Sequence, residues 1–301
     1  MPWIAPTHAF AGSPLNRASE RRPDADWLAG KLAEPETRVL ALWNGAPLLK
    51  DGALVWLDGG FAQHLADEER RLFLGLDGET AVFAIDLEGE ADPCAGPLAG
   101  RGAFGNLREA AETLPIPDTG ILATAKSLFD WRRRHRHCSV CGQPSRAVDG
   151  GWKRVCPACK AQHFPRVDPC VIMLPIFDDR CLVGRQASWP PGRYSALAGF
   201  QEPGESIEEA CAREVKEESG LTVMSVRYHS SQPWPYPSNL MIGLFAEVSD
   251  DQAQPDEAEL EAVAWLTKAD AQAMVEGRLE GFAATNPIAI AHHLIKAWAY
   301  S

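Results

Sequence analysis

Apolar positions along the chain change their spacing in a way that marks out separate regions. From Glu36 to about residue 92, TRVLALWNGAPLL, GALVWLDGG, RLFLGLDGE and TAVFAIDLEG are short apolar or alternating runs divided by Asn-Gly, Asp-Gly and Gly-Gly, which predicts an antiparallel β region with a short helix or loop over GGFAQHLADEERR. Residues 1 to about 35, rich in Pro, Ala and charge, read as an irregular arm with Trp3, Ile4 and Phe10 as scattered apolar anchors. LREAAETL and TGILATAKSLFDWRRRHRH then show helical spacing, with Ile121, Ala125, Leu128 and Trp131 on one face. The closing RRRHRH reads as a solvated helix end whose cations suit the dipole, with RNA contact as the other reading. Beyond residue 166, VIMLPIF, CLVGRQ and YSALAGF, then LTVMSVRYHSSQ, NLMIGLFAEV and AVAWL, read as strands, and the tail from Asp270 as helix with a break near Asn286 and Pro287.

Between those strand groups lies GFQEPGESIEEACAREVKEESGL, Gly199 to Leu221, with seven glutamates. Ser206 and Glu209 form a capping-box pattern after the Pro203-Gly204 turn, and Gly220 is a stop signal, so a helix is predicted from about Ile207 to Ser219. At 100° per residue, Glu214 and Glu218 share the stripe of Ile207, Ala210, Cys211 and Val215, while Glu208, Glu209 and Lys216 point away. Two inward carboxylates one turn apart require protonation or a cation, and a hard divalent ion with oxygen ligands fits that need. A merely solvated glutamate face would account for Glu208 and Glu209 but not for the inward pair.

Cysteine spacing adds a second metal signal. Cys138-x2-Cys141 and Cys156-x2-Cys159 form two knuckles with zinc-ribbon spacing, and four thiolates leave no open position, so that Zn²⁺ would be structural. Two disulfides are the alternative. Cys170, Cys181 and Cys211 stand in apolar surroundings and read as core residues. The 301 residues suffice for two domains, and a net charge of -12 argues against broad nonspecific nucleic-acid binding. The first twenty residues lack the pattern of a signal peptide, no run is long enough for a membrane span, and the expected location is cytoplasmic. SQPWPYPSN, Ser231 to Asn239, places two aromatic rings among three prolines, either as a rigid loop packed on the core or as a site for a planar ligand.

The spacing G-x5-E-x7-R-E-V-x-E-E-x-G-L over Gly199 to Leu221 matches the Nudix box. With the zinc ribbon upstream and SQPWPYPSN downstream, the chain resembles the NADH pyrophosphatase family of Nudix hydrolases, which also remove NAD caps from RNA. The resemblance departs from the usual motifs at Tyr236 for Phe, Asn239 for Ser, Ala289 for Ser and His292 for Arg. It implies an α+β chain: an N-terminal β-rich domain (1–127), a zinc ribbon (128–165) and a Nudix α/β/α sandwich with a mixed sheet (166–301). It further implies metal ligation by Glu214 and Glu218 with the Ala198 carbonyl, Glu217 as a further ligand or base, and Glu259 as an additional acidic ligand. Two or more Mg²⁺ or Mn²⁺ ions are expected there. Phe164 and Phe200 would stack on the nucleobase, Gln232, Pro233, Trp234, Pro235, Tyr236, Pro237, Ser238 and Asn239 would form the substrate loop, and Ala291 would offer a backbone contact. Arg213 and Glu205 would brace the loop by a salt bridge. The implied reaction is hydrolysis of the diphosphate of NADH or NAD⁺, and of NAD-capped RNA, by a homodimer. A Nudix hydrolase for another nucleoside diphosphate such as ADP-ribose, and a zinc-ribbon nucleic-acid-binding module with an inactive Nudix domain, are the alternatives.

Overall fold

The computed structural model describes residues 8–256 and 258–301. Trp3 and Ile4 lie outside them. The chain resolves into two compact units, one running to Arg166 and including Trp234–Ser238, the other comprising Val167–Pro233 and Asn239–Ser301.

Residues 8–24 of the first unit form no helix or strand, as expected, but the arm ends in a helix, α1 (Ala25–Ala33), which Asp24 caps by accepting from the Trp27 N–H at 2.9 Å. Strands β1 (Arg38–Trp43), β2 (Ala46–Lys50), β3 (Ala53–Leu54) and β4 (Trp56–Asp58) follow, then α2 (Gly59–Leu65), β5 (Arg71–Asp77), β6 (Thr80–Leu87) and β7 (Ala103–Phe104). The expected hairpins form, and the Asn44-Gly45 turn between β1 and β2 has positive φ at both residues. The purely antiparallel expectation fails at the centre, where β1 pairs with β6 in parallel from Arg38↔Val82 to Trp43↔Leu87. The cause is α2, which carries the chain away after β4 so that the β5–β6 hairpin returns with β6 beside β1 in the same direction. Val39, Ala41, Phe73, Phe83 and Ile85 fill the core.

The predicted helix at LREAAETL is only α3 (Leu107–Ala110), whereas α4 extends over Ile116–Arg134. Its last turn is not a simple solvated end: Arg132 is 4% exposed. A three-stranded antiparallel sheet, β8 (Arg146–Val148), β9 (Lys153–Val155) and β10 (Gln162–His163), carries the cysteine knuckles.

The second unit is an α/β/α sandwich. Its mixed sheet has the order β14-β15-β11-β12-β16, with β13 on β11, for β11 (Asp168–Phe177), β12 (Arg180–Arg185), β13 (Leu197–Phe200), β14 (Val223–Trp234), β15 (Asn239–Val248) and β16 (Ala262–Thr267). Alternation along β11 assigns the two faces. Val171 and Met173 pack with Ala210, Cys211 and Val215 of α5 (Ile207–Ser219), while Ile172, Leu174 and Ile176 pack with α6 (Lys268–Val275) and α7 (Ile290–Ala299). Cys170, Cys181 and Cys211 are buried core residues, as expected.

Candidate active site and zinc ribbon

Helix α5 begins and ends on the signals in its sequence. Ser206 Oγ accepts from the Glu209 N–H at 3.2 Å, Glu209 Oε2 accepts from the Ser206 N–H at 2.7 Å, and Gly220 closes the helix at φ 72°. A left-handed residue there costs least as glycine. The stripe that buries Ala210, Cys211 and Val215 carries Glu214 and Glu218 inward, 8% and 5% exposed, and leaves Glu208 and Glu209 in solvent.

Arg213 organises one side of this helix with all five of its N–H donors. Its Nε and Nη2 hold the two oxygens of Glu205 at 2.6 and 2.9 Å, Nη2 also donates to the Phe200 carbonyl at 2.8 Å, and Nη1 donates to Glu214 Oε1 and Glu217 Oε2, each at 2.8 Å. The expected Arg213–Glu205 brace is thus present. Hydrogen bonds from Arg213 draw the Glu205 carboxyl down to about 2.

Glu218 receives no such help. Its Oε2 is buried without a hydrogen-bond partner. Burial first, then the charges of Glu214 and Glu259, push its carboxyl up to about 8 against a lowering contribution from the Ala198 backbone N–H. Glu214 is also raised, by burial first, with Glu217 and Glu259 adding to it and Arg213 opposing. Glu217 and Glu259 themselves are exposed. Gly199, next to Ala198 on β13, makes room for the pair: a Cβ there would fall 1.9 Å from Glu214 Cδ and 2.1 Å from each of its oxygens. A buried carboxylate with one oxygen unpartnered, in the field of three others, fits a divalent cation, which would neutralise the group and engage that oxygen. Among the described residues the glutamate oxygens do not converge as the cysteine sulfurs do, since Glu214 and Glu217 reach toward Arg213.

In the ribbon, Cys138, Cys141, Cys156 and Cys159 bring four sulfurs within 4.8 Å of one another. The sulfurs of Cys138 and Cys159 lie 3.6 Å apart and those of Cys141 and Cys156 3.5 Å, well beyond a disulfide bond of about 2.05 Å and near the edge of a tetrahedron built on Zn–S distances of about 2.3 Å. The disulfide alternative is therefore excluded and the donor set fits zinc. Backbone N–H groups, led by that of Cys159, bring the Cys156 thiol down to about 7. His163 Nε2 lies 3.3 Å from Cys138 Sγ, an outer contact that the cysteine spacing did not announce.

The residues expected to hold substrate are distributed unevenly. Phe164 and Phe200 are 64% and 55% exposed, so each has an open ring face. Gln232 is fully buried, with its amide nitrogen donating to the Ile288 carbonyl at 2.7 Å and its oxygen accepting from the Ile290 N–H at 2.8 Å, beside buried Ala291. The proline segment is extended only through Trp234 and then turns, with a cis Tyr236–Pro237 bond, before Asn239 opens β15. Pro233 is exposed and Ser238 buried. Trp234 and Tyr236 meet Phe10 edge-on at 5.5 and 6.1 Å, and Arg108 and Lys126 lie 4.7 and 4.9 Å from the Tyr236 ring centre. Lys126 also donates to the Pro235 carbonyl at 2.8 Å. Phe10, Arg108 and Lys126 lie more than 100 residues away in the chain, and no local pattern marks them. Among the described residues no helix is long and apolar enough to cross a membrane.

Comparison with known proteins gives three adjoining matches: the NADH pyrophosphatase-like rudimentary NUDIX domain over residues 36–131, the NADH pyrophosphatase zinc ribbon domain over 133–164 and the NUDIX domain over 167–284. The chain is 35% identical over 346 residues to NAD-capped RNA hydrolase NUDT12 of Macaca fascicularis, covering 96% of this chain and 72% of that protein. It is 38% identical over 275 residues to the mitochondrial NAD(P)H pyrophosphatase NUDT13 of Mus musculus, covering 84% and 78%. With NAD-capped RNA hydrolase NudC of Mycobacterium bovis the identity is 34% over 290 residues, covering 90% and 91%. These matches, on a chain whose Nudix box and zinc ribbon are both formed, place it in the NADH pyrophosphatase family of Nudix hydrolases.

Proposed function

We propose that the protein hydrolyses the diphosphate of NADH and NAD⁺ to the nicotinamide mononucleotide and AMP, and removes NAD caps from RNA by cleaving the same bond. The observation that carries this reading is the buried Glu218 carboxyl, its Oε2 without a partner, held beside Glu214 and within the field of Glu259. Glu214, Glu218 and the Ala198 carbonyl, with Glu217 and Glu259, are the groups that would hold two or more Mg²⁺ or Mn²⁺ ions. Such ions supply positive charge to a diphosphate and make a bound water more acidic.

The chain's own contribution is to collect negative charge where it is needed and to fix its direction. Arg213 ties Glu205, Glu214, Glu217 and the Phe200 carbonyl together, which holds the box loop and α5 in one arrangement. In this proposal Glu217, exposed and anchored through one oxygen, accepts the proton of the attacking water, which adds to one phosphorus as the bridging oxygen departs with its electron pair. Phe164 and Phe200, each with an open ring face, are candidates to stack on the base, Gln232–Asn239 is the candidate substrate loop, and Gln232 holds the Ile288–Ile290 backbone so that Ala291 can offer its peptide groups. The names of the relatives support the choice of NAD-derived substrates. Domain limits near 127 and 165, a homodimeric assembly and cytoplasmic residence belong to the same proposal.

Side-by-side kcat/KM values on NADH, NAD⁺, NAD-capped RNA and ADP-ribose, with Mg²⁺ or Mn²⁺, test it. The expected result is metal-dependent AMP release from NADH or NAD⁺ and preference for NAD-derived substrates over ADP-ribose. No AMP release with either metal, or faster turnover of ADP-ribose, would overturn it.

A further inference from the structure

The end of α4 borders a cavity of about 580 Å³ within the first unit, lined by five arginines and four carboxylates. Each carboxylate already has a cation. Asp86 accepts from Arg133 at 2.8 and 2.9 Å, Glu88 pairs with Arg136 at 2.6 Å, Glu69 with Arg154 at 3.3 Å and Asp67 with Arg70 at 3.4 Å. Asp130, the other anion on Arg133, is balanced by Lys126 at 2.6 Å.

Arg132 is the arginine of this wall left over by that pairing. It is 4% exposed, its Nη1 donates to the Arg71 carbonyl at 2.7 Å, and its Nη2 has no hydrogen-bond partner. Burial is the main cause that lowers it, to about 10, so the side chain keeps its proton at neutral pH. The fold makes room for this guanidinium: a Cβ on Gly151, at φ 92°, would come within 2.9 Å of Arg132 Nη1. A buried N–H of a charged group without an acceptor is costly, and a surrounding shell of satisfied ion pairs offers it none. Arg136 stands more than half exposed and binds Glu88 through one nitrogen, which leaves further donors on the same wall. Arginine forks match the geometry of phosphoryl oxygens, and the cavity is of the size that holds a small ligand.

We propose that this cavity binds a phosphate dianion, as inorganic phosphate or the phosphoryl group of a mononucleotide, seated on Arg132 with Arg136 as a second contact. The site is separate from the Nudix box, which lies in the other unit. Isothermal titration of the full-length, zinc-loaded protein without Mg²⁺ or Mn²⁺, using inorganic phosphate in one arm and AMP in the other, tests it. Saturable binding of phosphate at one site per chain is expected. Arg132→Met should weaken it at least tenfold and Arg136→Ala severalfold, while kcat/KM for NADH stays within twofold of the parent. Tighter binding of AMP than of phosphate would support a mononucleotide ligand, and equal binding the phosphoryl group alone. Absence of saturable phosphate binding by the parent protein would overturn the proposal whatever the fate of the Arg132 variant. So would undiminished binding by Arg136→Ala together with a folded Arg132→Met.

Discussion

Replacing Glu218 with Gln should separate the cost of the buried carboxyl from its use. In the metal-free protein the group is raised from 4.5 to about 8, with burial as the first cause. A carboxyl whose folded value exceeds its unfolded value keeps its proton longer in the folded state, so its contribution is fully present below pH 4.5 and is lost as pH rises through 8. Between about pH 5 and pH 7.5 the parent should therefore lose about 3 kcal/mol relative to Glu218→Gln, from 1.36 kcal/mol per pH unit. The assay is urea unfolding of zinc-loaded protein without Mg²⁺ or Mn²⁺, read by hydrogen exchange in the peptide covering α5 so that the transition belongs to the correct unit. Comparing the slopes of parent and variant cancels the other titrating groups and any fixed penalty for burying the Gln amide. Adding Mg²⁺ should flatten the parent's slope and leave the variant's nearly unchanged, and the variant should lose hydrolysis by orders of magnitude while remaining folded. Parallel stability profiles for the two proteins across this range would refute the assignment of an unrelieved carboxyl at Glu218.

Three further outcomes follow from neighbouring contacts. Gly199→Ala would put a methyl group on the Glu214 carboxyl while β13 stays paired to β11, so kcat on NADH should fall roughly tenfold or more with little loss of thermal stability. Arg213→Lys cannot reproduce five directed hydrogen bonds, so turnover should fall by about one to two orders of magnitude, and the acid limb of unfolding, where the depressed Glu205 normally loses its stabilising contact as pH falls from 4.5 toward 2, should move upward in pH. Cys156→Ser should release the zinc detected by native mass spectrometry and make the three remaining ribbon thiols reactive, whereas full zinc retention would contradict a four-sulfur site.

The parts of the fold legible in the sequence are those whose cause is local. The limits of α5 follow from Ser206, Glu209 and Gly220, and its inward glutamates follow from their spacing against Ala210, Cys211 and Val215. The ribbon follows from two knuckles that each need only a few residues. The parallel pairing of β1 with β6 was hidden because alternation specifies a strand's face and not its neighbour's direction. Arg132 was hidden for a related reason. In RRRHRH each arginine looks alike, and only the packing of α4 against β5 turns Arg132 inward to the Arg71 carbonyl. Trp234 and Tyr236 announced themselves as aromatics, but the groups that meet them, Phe10, Arg108 and Lys126, come from distant parts of the chain.

The unequal treatment of the two inward glutamates has a physical logic. Arg213 spends every donor on Glu205, Glu214, Glu217 and Phe200, so it cannot also neutralise Glu218. A second arginine near Glu218 would stabilise the metal-free fold, yet it would compete with a divalent cation for the same oxygens and weaken its binding by the energy of that ion pair. Leaving Glu218 with one backbone donor places the electrostatic cost at a single carboxyl. That cost is tolerable because α5 is fixed independently, by its capping box, by Gly220 and by an apolar face set into the sheet. A site built this way binds a cation most strongly where the protein itself gains from the binding, which ties metal affinity to the pH at which Glu218 would otherwise take up a proton.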